Sequence, residues 1–399
     1  MGKAEAPGGS VPDAPASERA EAGPAAERST VDDSPAERSR IVEAHLSSMS
    51  LRERVAQRFV TYIDGTMVDA HVNGDLRDQA PAGYILYPWN YESAQDVQSL
   101  TENLQRVSRW HSPGLGLLIC ADQEGGRVQA FRFPELANLP PAYWMGVHRD
   151  PEFVEAAAYI NAVQLRWLGV NMSLSPVLDL YAEPDSSIIG DRSFGPDPDL
   201  AAEYAAAYVR GFARAKVIAT AKHFPGHGVS AIDSHSRLPL VDLTWDELMN
   251  NHVVPFAAAI DSGVDVVMTA HILYSDLDPT YPATLSPVLI RGLLRRDLGF
   301  DGVVMSDGLE MGALAQNFPL DDTLRQAIRS GVDLILLYTR YELSDVVDRV
   351  LSLVETGAVS EGEIDAGTRR VLDLKARYGL LHDPSVRRSS PRGRSSAGP

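Results

Sequence analysis

The run Lys222-His223-Phe224-Pro225-Gly226-His227-Gly228, followed four residues later by Asp233-Ser234-His235, gathers three histidines, a lysine and an aspartate. Proline removes a backbone donor and glycine gives up conformational restraint, so this stretch reads as a loop. Loops on a rigid scaffold are where catalytic and binding groups concentrate. A carboxylate at Asp233 can accept an N–H from His235, fix its tautomer and raise its basicity, which suits the imidazole to proton transfer near neutral pH. The same histidines with Asp233 could instead be metal ligands. They lack the paired spacing on one helical face that a zincin helix offers, so no metal and no cofactor is expected.

Asp307 follows Val303-Val304-Met305-Ser306 and precedes Gly308. A buried strand thus delivers one carboxylate to its end, where it could serve catalysis beside a proton donor such as His235 or cap a helix beginning near Leu309, a structural role worth about 1 kcal/mol. Lys222 and His223 stand at another strand end, where a lysine is too costly to bury without a task or a partner. With Asp122 and Arg192 they would suit gripping sugar hydroxyls; ion pairs that brace a rim are the alternative for each.

Positioning these groups requires a scaffold, and its strands are legible as short apolar runs: Arg58–Tyr62, Gly83–Tyr87, Leu117–Ala121, Asn171–Ser175, Val217–Ala221, Val264–Ala270, Gly302–Met305 and Val332–Tyr338. Helical segments lie between most of them. Pro151–Leu168 stops at Gly169, and Leu285–Leu298 has Ser286 as a cap, Pro287 in its first turn and Gly299 behind it. Strands buried on both faces and joined by crossover helices indicate a parallel sheet. Eight of them, without a Gly-x-Gly-x-x-Gly turn, predict a single (β/α)8 TIM-like barrel over residues 41–383. In that fold chemistry gathers at the C-terminal strand ends. There the sequence places Asp122 to Arg127, Asp179, Lys222-His223, His271 and Ser306-Asp307-Gly308.

The chain has 399 residues, is 44% hydrophobic and carries a formal charge of −18, which argues against nucleic-acid or anionic-membrane partners. Cys120, the only cysteine, lies in an apolar run, so neither a disulfide framework nor a thiolate metal site is expected. No stretch approaches the roughly 20 apolar residues that span a bilayer, and no secretory signal is visible. Residues 1–40 read as a disordered leader and 384–399 as a disordered basic tail. A monomeric cytoplasmic protein is the expectation.

The motifs in Lys222–Gly228 and Asp233–His235 resemble the signature of family 3 glycoside hydrolases of the β-N-acetylhexosaminidase type. Collinear matches extend the likeness: Asp122-Gln123-Glu124-Gly125-Gly126-Arg127-Val128-Gln129, Ser175-Pro176-Val177-Leu178-Asp179, Ile189-Gly190-Asp191-Arg192-Ser193-Phe194 and Gly299-Phe300-Asp301-Gly302-Val303-Val304-Met305-Ser306-Asp307. The resemblance implies a retaining exo-β-N-acetylglucosaminidase with Asp307 as nucleophile and His235, assisted by Asp233, as acid/base. It implies that Asp122, Arg192, Lys222 and His223 hold the hydroxyls of N-acetylglucosamine. The substrates it implies are small carbohydrates, with muropeptide fragments of peptidoglycan as the natural ones.

The pattern departs from the family at two places. Ala130 stands where many relatives carry a sugar-contacting arginine, so that Arg127 or Arg132 substitutes or the contact is missing. Val229-Ser230-Ala231-Ile232 lacks a frequent Asp-Thr pair. Retaining glycosidases ordinarily use two carboxyl groups. A histidine acid/base does not repel an incoming anion as a carboxylate does, which leaves a phosphorylase reaction open. A β-glucosidase of the same family and a non-catalytic sugar- or cell-wall-binding module are further alternatives.

Overall fold

A computed structural model describes residues 34–147, 150–181, 188–227, 234 and 237–384. Asp233, His235, most of the leader and nearly all of the basic tail lie outside the described residues.

Each expected apolar run overlaps a strand, but the fifth strand continues through Lys222-His223-Phe224, expected as loop, because the proline and glycines that break the pairing come only after Phe224, and the seventh reaches Ser306. The strands are β1 (Phe59–Thr61), β2 (Gly83–Ile85), β3 (Leu118–Ala121), β4 (Met172–Ser173), β5 (Ile218–Phe224), β6 (Val266–Thr269), β7 (Val303–Ser306) and β8 (Ile335–Leu336). Neighbours pair in parallel in the order β7-β6-β5-β4-β3-β2-β1-β8. A parallel bridge between Met305 and Leu334 brings β7 back to β8 and closes the barrel.

The period of two along the strands divides the core. Leu118, Cys120, Val266, Met268, Val303 and Met305 fill one cluster inside the barrel, while Ile119, Ala121, Val267 and Val304 join the layer packed beneath the helices. Gly83 is required where β2 meets β3, because a Cβ there would lie 1.9 Å from the Leu118 carbonyl oxygen. Burial pushes the Cys120 thiol pKa up, as befits an inert strand cysteine.

The helices begin and end as their residues dictate. Asp150 accepts from the amides of Glu152 and Phe153 at the start of Pro151–Trp167, and Gly169, in the left-handed region, follows its end. Ser286 accepts from the Leu289 amide ahead of Val288–Asp297, which is wound as a π-helix.

The first helix, Pro35–Ser48, starts inside the leader expected to run to residue 40, because Ser34 caps it and Pro35 opens its first turn. It packs against Glu361–Arg377. Ile41, Val42 and Leu46 meet Ala80, Leu115, Leu372 and Leu381. Ala80 and Leu115 precede β2 and β3, so this helix pair covers the N-terminal end of the barrel and leaves the other end to the site. No helix among the described residues is long and apolar enough to cross a membrane.

Candidate active site

The C-terminal strand ends surround a cavity of about 440 Å³. Asp122 enters it just beyond β3, Lys222 from β5, Asp307 just beyond β7, and Tyr87, Glu310 and Tyr338 from the loops after β2, β7 and β8. Residues far apart in the chain converge because parallel strands all emerge at the same end.

Lys222 is 3% exposed, and its Nζ donates to Asp122 Oδ1 at 2.7 Å and lies 2.7 Å from Glu124 Oε1. Arg192 closes on the same carboxylate with two parallel bonds, Nε to Oε2 at 2.8 Å and Nη2 to Oε1 at 2.9 Å. Burial alone would raise the Glu124 pKa, but the Arg192 and Lys222 charges hold it at about 2. Burial would likewise lower Lys222, and the two carboxylates carry it above its ordinary value. The ammonium is therefore fixed and charged. Asp122 keeps a side chain 37% exposed, as a hydrogen-bonding group facing the cavity must.

A second buried carboxylate organises the histidines. Asp179 is 1% exposed, and its Oδ2 accepts from His223 Nδ1 at 2.7 Å. Its Oδ1 accepts from the backbone amides of His223 at 3.3 Å and His227 at 2.5 Å. This leaves the other ring nitrogen of His223 as the one that can act outward. Burial would raise Asp179, but His223 and the His227 amide keep its pKa below the usual value. Burial pushes His227 down to about 4, so that imidazole is neutral at pH 7. Its Nε2 meets Ser234 Oγ at 3.2 Å.

Gly226 turns the chain into this arm at φ +137°, and a Cβ there would press on His252 at 3.0 Å. The Ser175–Pro176, Lys222–His223 and Phe224–Pro225 peptide bonds are cis.

Asp307 does not cap a helix. The next helix is Gly312–Ala315, preceded by Met311, and Asp307 Oδ1 instead accepts from the amide of Gly308 at 2.8 Å. Burial would raise its pKa, yet the neighbouring His223 and His271 hold it at about 2. It is an ionised carboxylate at neutral pH. His271 is fixed between Thr284 Oγ1 at 2.7 Å and the Gly308 carbonyl oxygen at 2.9 Å.

Of the residues expected to grip the sugar, Asp122 and Lys222 line the cavity, whereas Arg192 pairs with the buried Glu124 and His223 with the buried Asp179. The rim ion pairs weighed as an alternative are present among the same residues that face the cavity. Sequence reasoning assigned no role to Glu124 or Glu310. A buried glutamate between Gln123 and Gly125 could have been flagged as the counter-charge that a buried lysine needs. Arg127 pairs with Asp191 at 2.9 Å, and Arg132 donates to the carbonyls of Gly126 and Arg127. Both guanidiniums therefore brace rim loops. Among the described residues no group of three or more His, Cys, Asp or Glu side chains could hold a metal ion.

Residues 50–374 match the glycosyl hydrolase family 3 N terminal domain. The chain belongs to glycoside hydrolase family 3. A β-hexosaminidase of Stenotrophomonas maltophilia (strain K279a) is 36% identical over 299 residues, covering 73% of this chain and 85% of that protein. The solved family 3 β-N-acetylglucosaminidase of Paenibacillus sp. FPU-7 superposes with a TM-score of 0.81 at 37% identity, over 86% of this chain. This chain spans 65% of the length of that structure. The β-N-acetylhexosaminidase of Beutenbergia cavernae gives a TM-score of 0.75 at 30% identity, covering 82% of this chain and 98% of that one. The family 3 chain thus stands among β-hexosaminidases, and its barrel is the part it shares with them.

Proposed function

We propose that this family 3 glycoside hydrolase is a retaining exo-β-N-acetylglucosaminidase. The observation that carries the reading is the pairing, across one cavity, of the ionised Asp307 with the charge-locked Asp122–Lys222–Glu124 cluster. The cluster binds the hydroxyls of the non-reducing sugar and presents its anomeric carbon to Asp307. The Asp307 carboxylate attacks that carbon and forms a glycosyl-enzyme. The Asp233–His235 pair protonates the departing oxygen, and His235 then takes a proton from water as it cleaves the ester.

The described residue between the pair supports this assignment. The Ser234 carbonyl oxygen accepts from Ala313 N at 3.0 Å, in the helix that follows Asp307. A cavity of about 440 Å³ seated on the barrel interior favours removal of one terminal sugar at a time. Muropeptide fragments with terminal N-acetylglucosamine are the substrates this reading favours, since the relatives are bacterial β-hexosaminidases.

Trapping the glycosyl-enzyme with a slow fluorosugar and locating the label by mass spectrometry tests the mechanism. The label is expected on Asp307, and a label on any other residue overturns the assignment.

A further inference from the structure

The cavity also has an aromatic wall, which neither the nucleophile nor the sugar grip uses. Tyr87 and Tyr338 line the cavity, and Trp89 continues their surface outward. Tyr87 stacks on Trp89 at a centroid separation of 4.4 Å and 19° between planes. Tyr338 stands edge-on to both, at 5.2 Å from Tyr87 and 6.2 Å from Trp89.

The two outer rings, Trp89 and Tyr338, are both held in place and exposed. The Trp89 indole N–H donates to the Ile63 carbonyl oxygen at 3.0 Å, and both Glu310 carboxylate oxygens accept from the Tyr338 amide at 2.8 Å. Yet Trp89 is 43% and Tyr338 42% exposed. Large aromatic rings held open to water beside a polar cavity imply a ligand with an apolar face to cover them.

Barrel order places the rings. The grip comes from β3 and β5, the nucleophile from the end of β7, and the aromatic rings from the ends of β2 and β8. The rings therefore span the arc from beside Asp122 to beside Asp307, on the far side of the barrel from Lys222.

We propose that Tyr338 and Trp89, backed by Tyr87, form a subsite for a pyranose ring in the leaving group, so that the enzyme selects saccharide aglycones over ring-less ones. The C–H face of such a ring suits the negative face of an aromatic side chain. Glu310, whose carboxylate also borders the cavity, accepts a hydroxyl of the same ring. The proposal rests on the N-acetylglucosaminidase reading for the identity of the first sugar.

The test uses the full chain with Trp89→Ala and Tyr338→Ala combined. Hydrolysis of N,N′-diacetylchitobiose is compared with that of N-acetylglucosaminyl β-fluoride, whose leaving group has no ring. The ratio of the two kcat/KM values is expected to fall about tenfold in the double variant. An unchanged ratio overturns the proposal, whichever way the absolute rates move.

Calorimetry in the Asp307→Ala background reads the shelf apart from turnover. The two substitutions are expected to weaken diacetylchitobiose binding and not that of free N-acetylglucosamine; equal weakening of both sugars, or of neither, overturns it. A wild-type chain that binds diacetylchitobiose through the shelf but cleaves neither substrate would instead refute the hydrolase reading alone.

Discussion

Lys222 Nζ and Glu124 Oε1 lie 2.7 Å apart, with side chains only 3% and 6% exposed. Two opposite charges taken out of water this completely are held by geometry, and here the geometry is shared: Asp122 takes the lysine's outer side and Arg192 the glutamate's. The cluster works as one unit, orienting Asp122 toward the cavity by fixing the cation against which it leans.

Glu124→Gln keeps the shape of that unit and removes its central charge. Breaking one side of a buried pair leaves Lys222 and Arg192 short of an anion and is expected to cost about 3 kcal/mol of stability at pH 7. The pH dependence has a definite sign. The folded carboxyl sits near 2, below its unfolded value, so its contribution is present above about pH 4.5 and is lost as pH falls toward 2. Urea unfolding at pH 7 and pH 3 should show the gap between wild type and variant narrowing on the acid side. A gap that widens there would contradict the assignment of charge.

Asp307→Ala should lower kcat by ~10³-fold or more, because the covalent step loses its nucleophile. With its pKa held at about 2, Asp307 stays ionised across the working range. Any acid limb in the wild-type kcat/KM profile above pH 4 must then belong to another group. A limb at pH 4–5 that vanished when Asp307 was altered, in a variant retaining measurable activity, would show that the carboxylate is not held down as described.

His235→Ala distinguishes the acid from the rest of the site. Loss of a proton donor slows departure of a poor leaving group by ~10²-fold or more and spares an activated phenolate in the first chemical step. Comparing diacetylchitobiose with an aryl glycoside under single-turnover conditions gives the answer. Equal losses on both substrates would remove His235 from the acid's role.

Lys375 offers a test far from the site. It is fully buried in the C-terminal helix, its ammonium donates to Gln57 Oε1 at 2.8 Å, and burial pushes its pKa down to about 7. The unfolded chain therefore binds the extra proton between pH 7 and the ordinary lysine value. Folding stability gains up to about 1.4 kcal/mol per pH unit from this residue as pH rises through that window. Lys375→Met should flatten that part of the stability profile, measured by urea unfolding at pH 7 and pH 9. A slope identical to wild type would mean that the ammonium keeps its charge in the folded chain.

How much of this was legible beforehand follows from the range of each interaction. A strand buried on both faces must be written as an unbroken apolar run, so β1 to β8 could be placed without knowing their partners. The polar groups at their ends followed as soon as the strands were taken as parallel. Helix limits also follow local chemistry, though Ser34 starts a helix inside the expected leader and the helix after Asp307 begins at Gly312 rather than near Leu309.

Partnerships were not legible in this way. Glu124 meets Lys222 and Arg192, and Asp179 meets His223, at separations of 44 to 98 positions along the chain. Nothing in the local pattern around Glu124 distinguishes a solvated rim carboxylate from one buried against two cations. Hydrophobic periodicity is a property of neighbouring residues, so the chain alone dictated a parallel barrel and which residue types crown it. Ion pairing and ring stacking depend on distances that exist only after β7 has met β8, and barrel closure therefore set which crowning residues share a charge and brought Tyr87, Trp89 and Tyr338 into one surface.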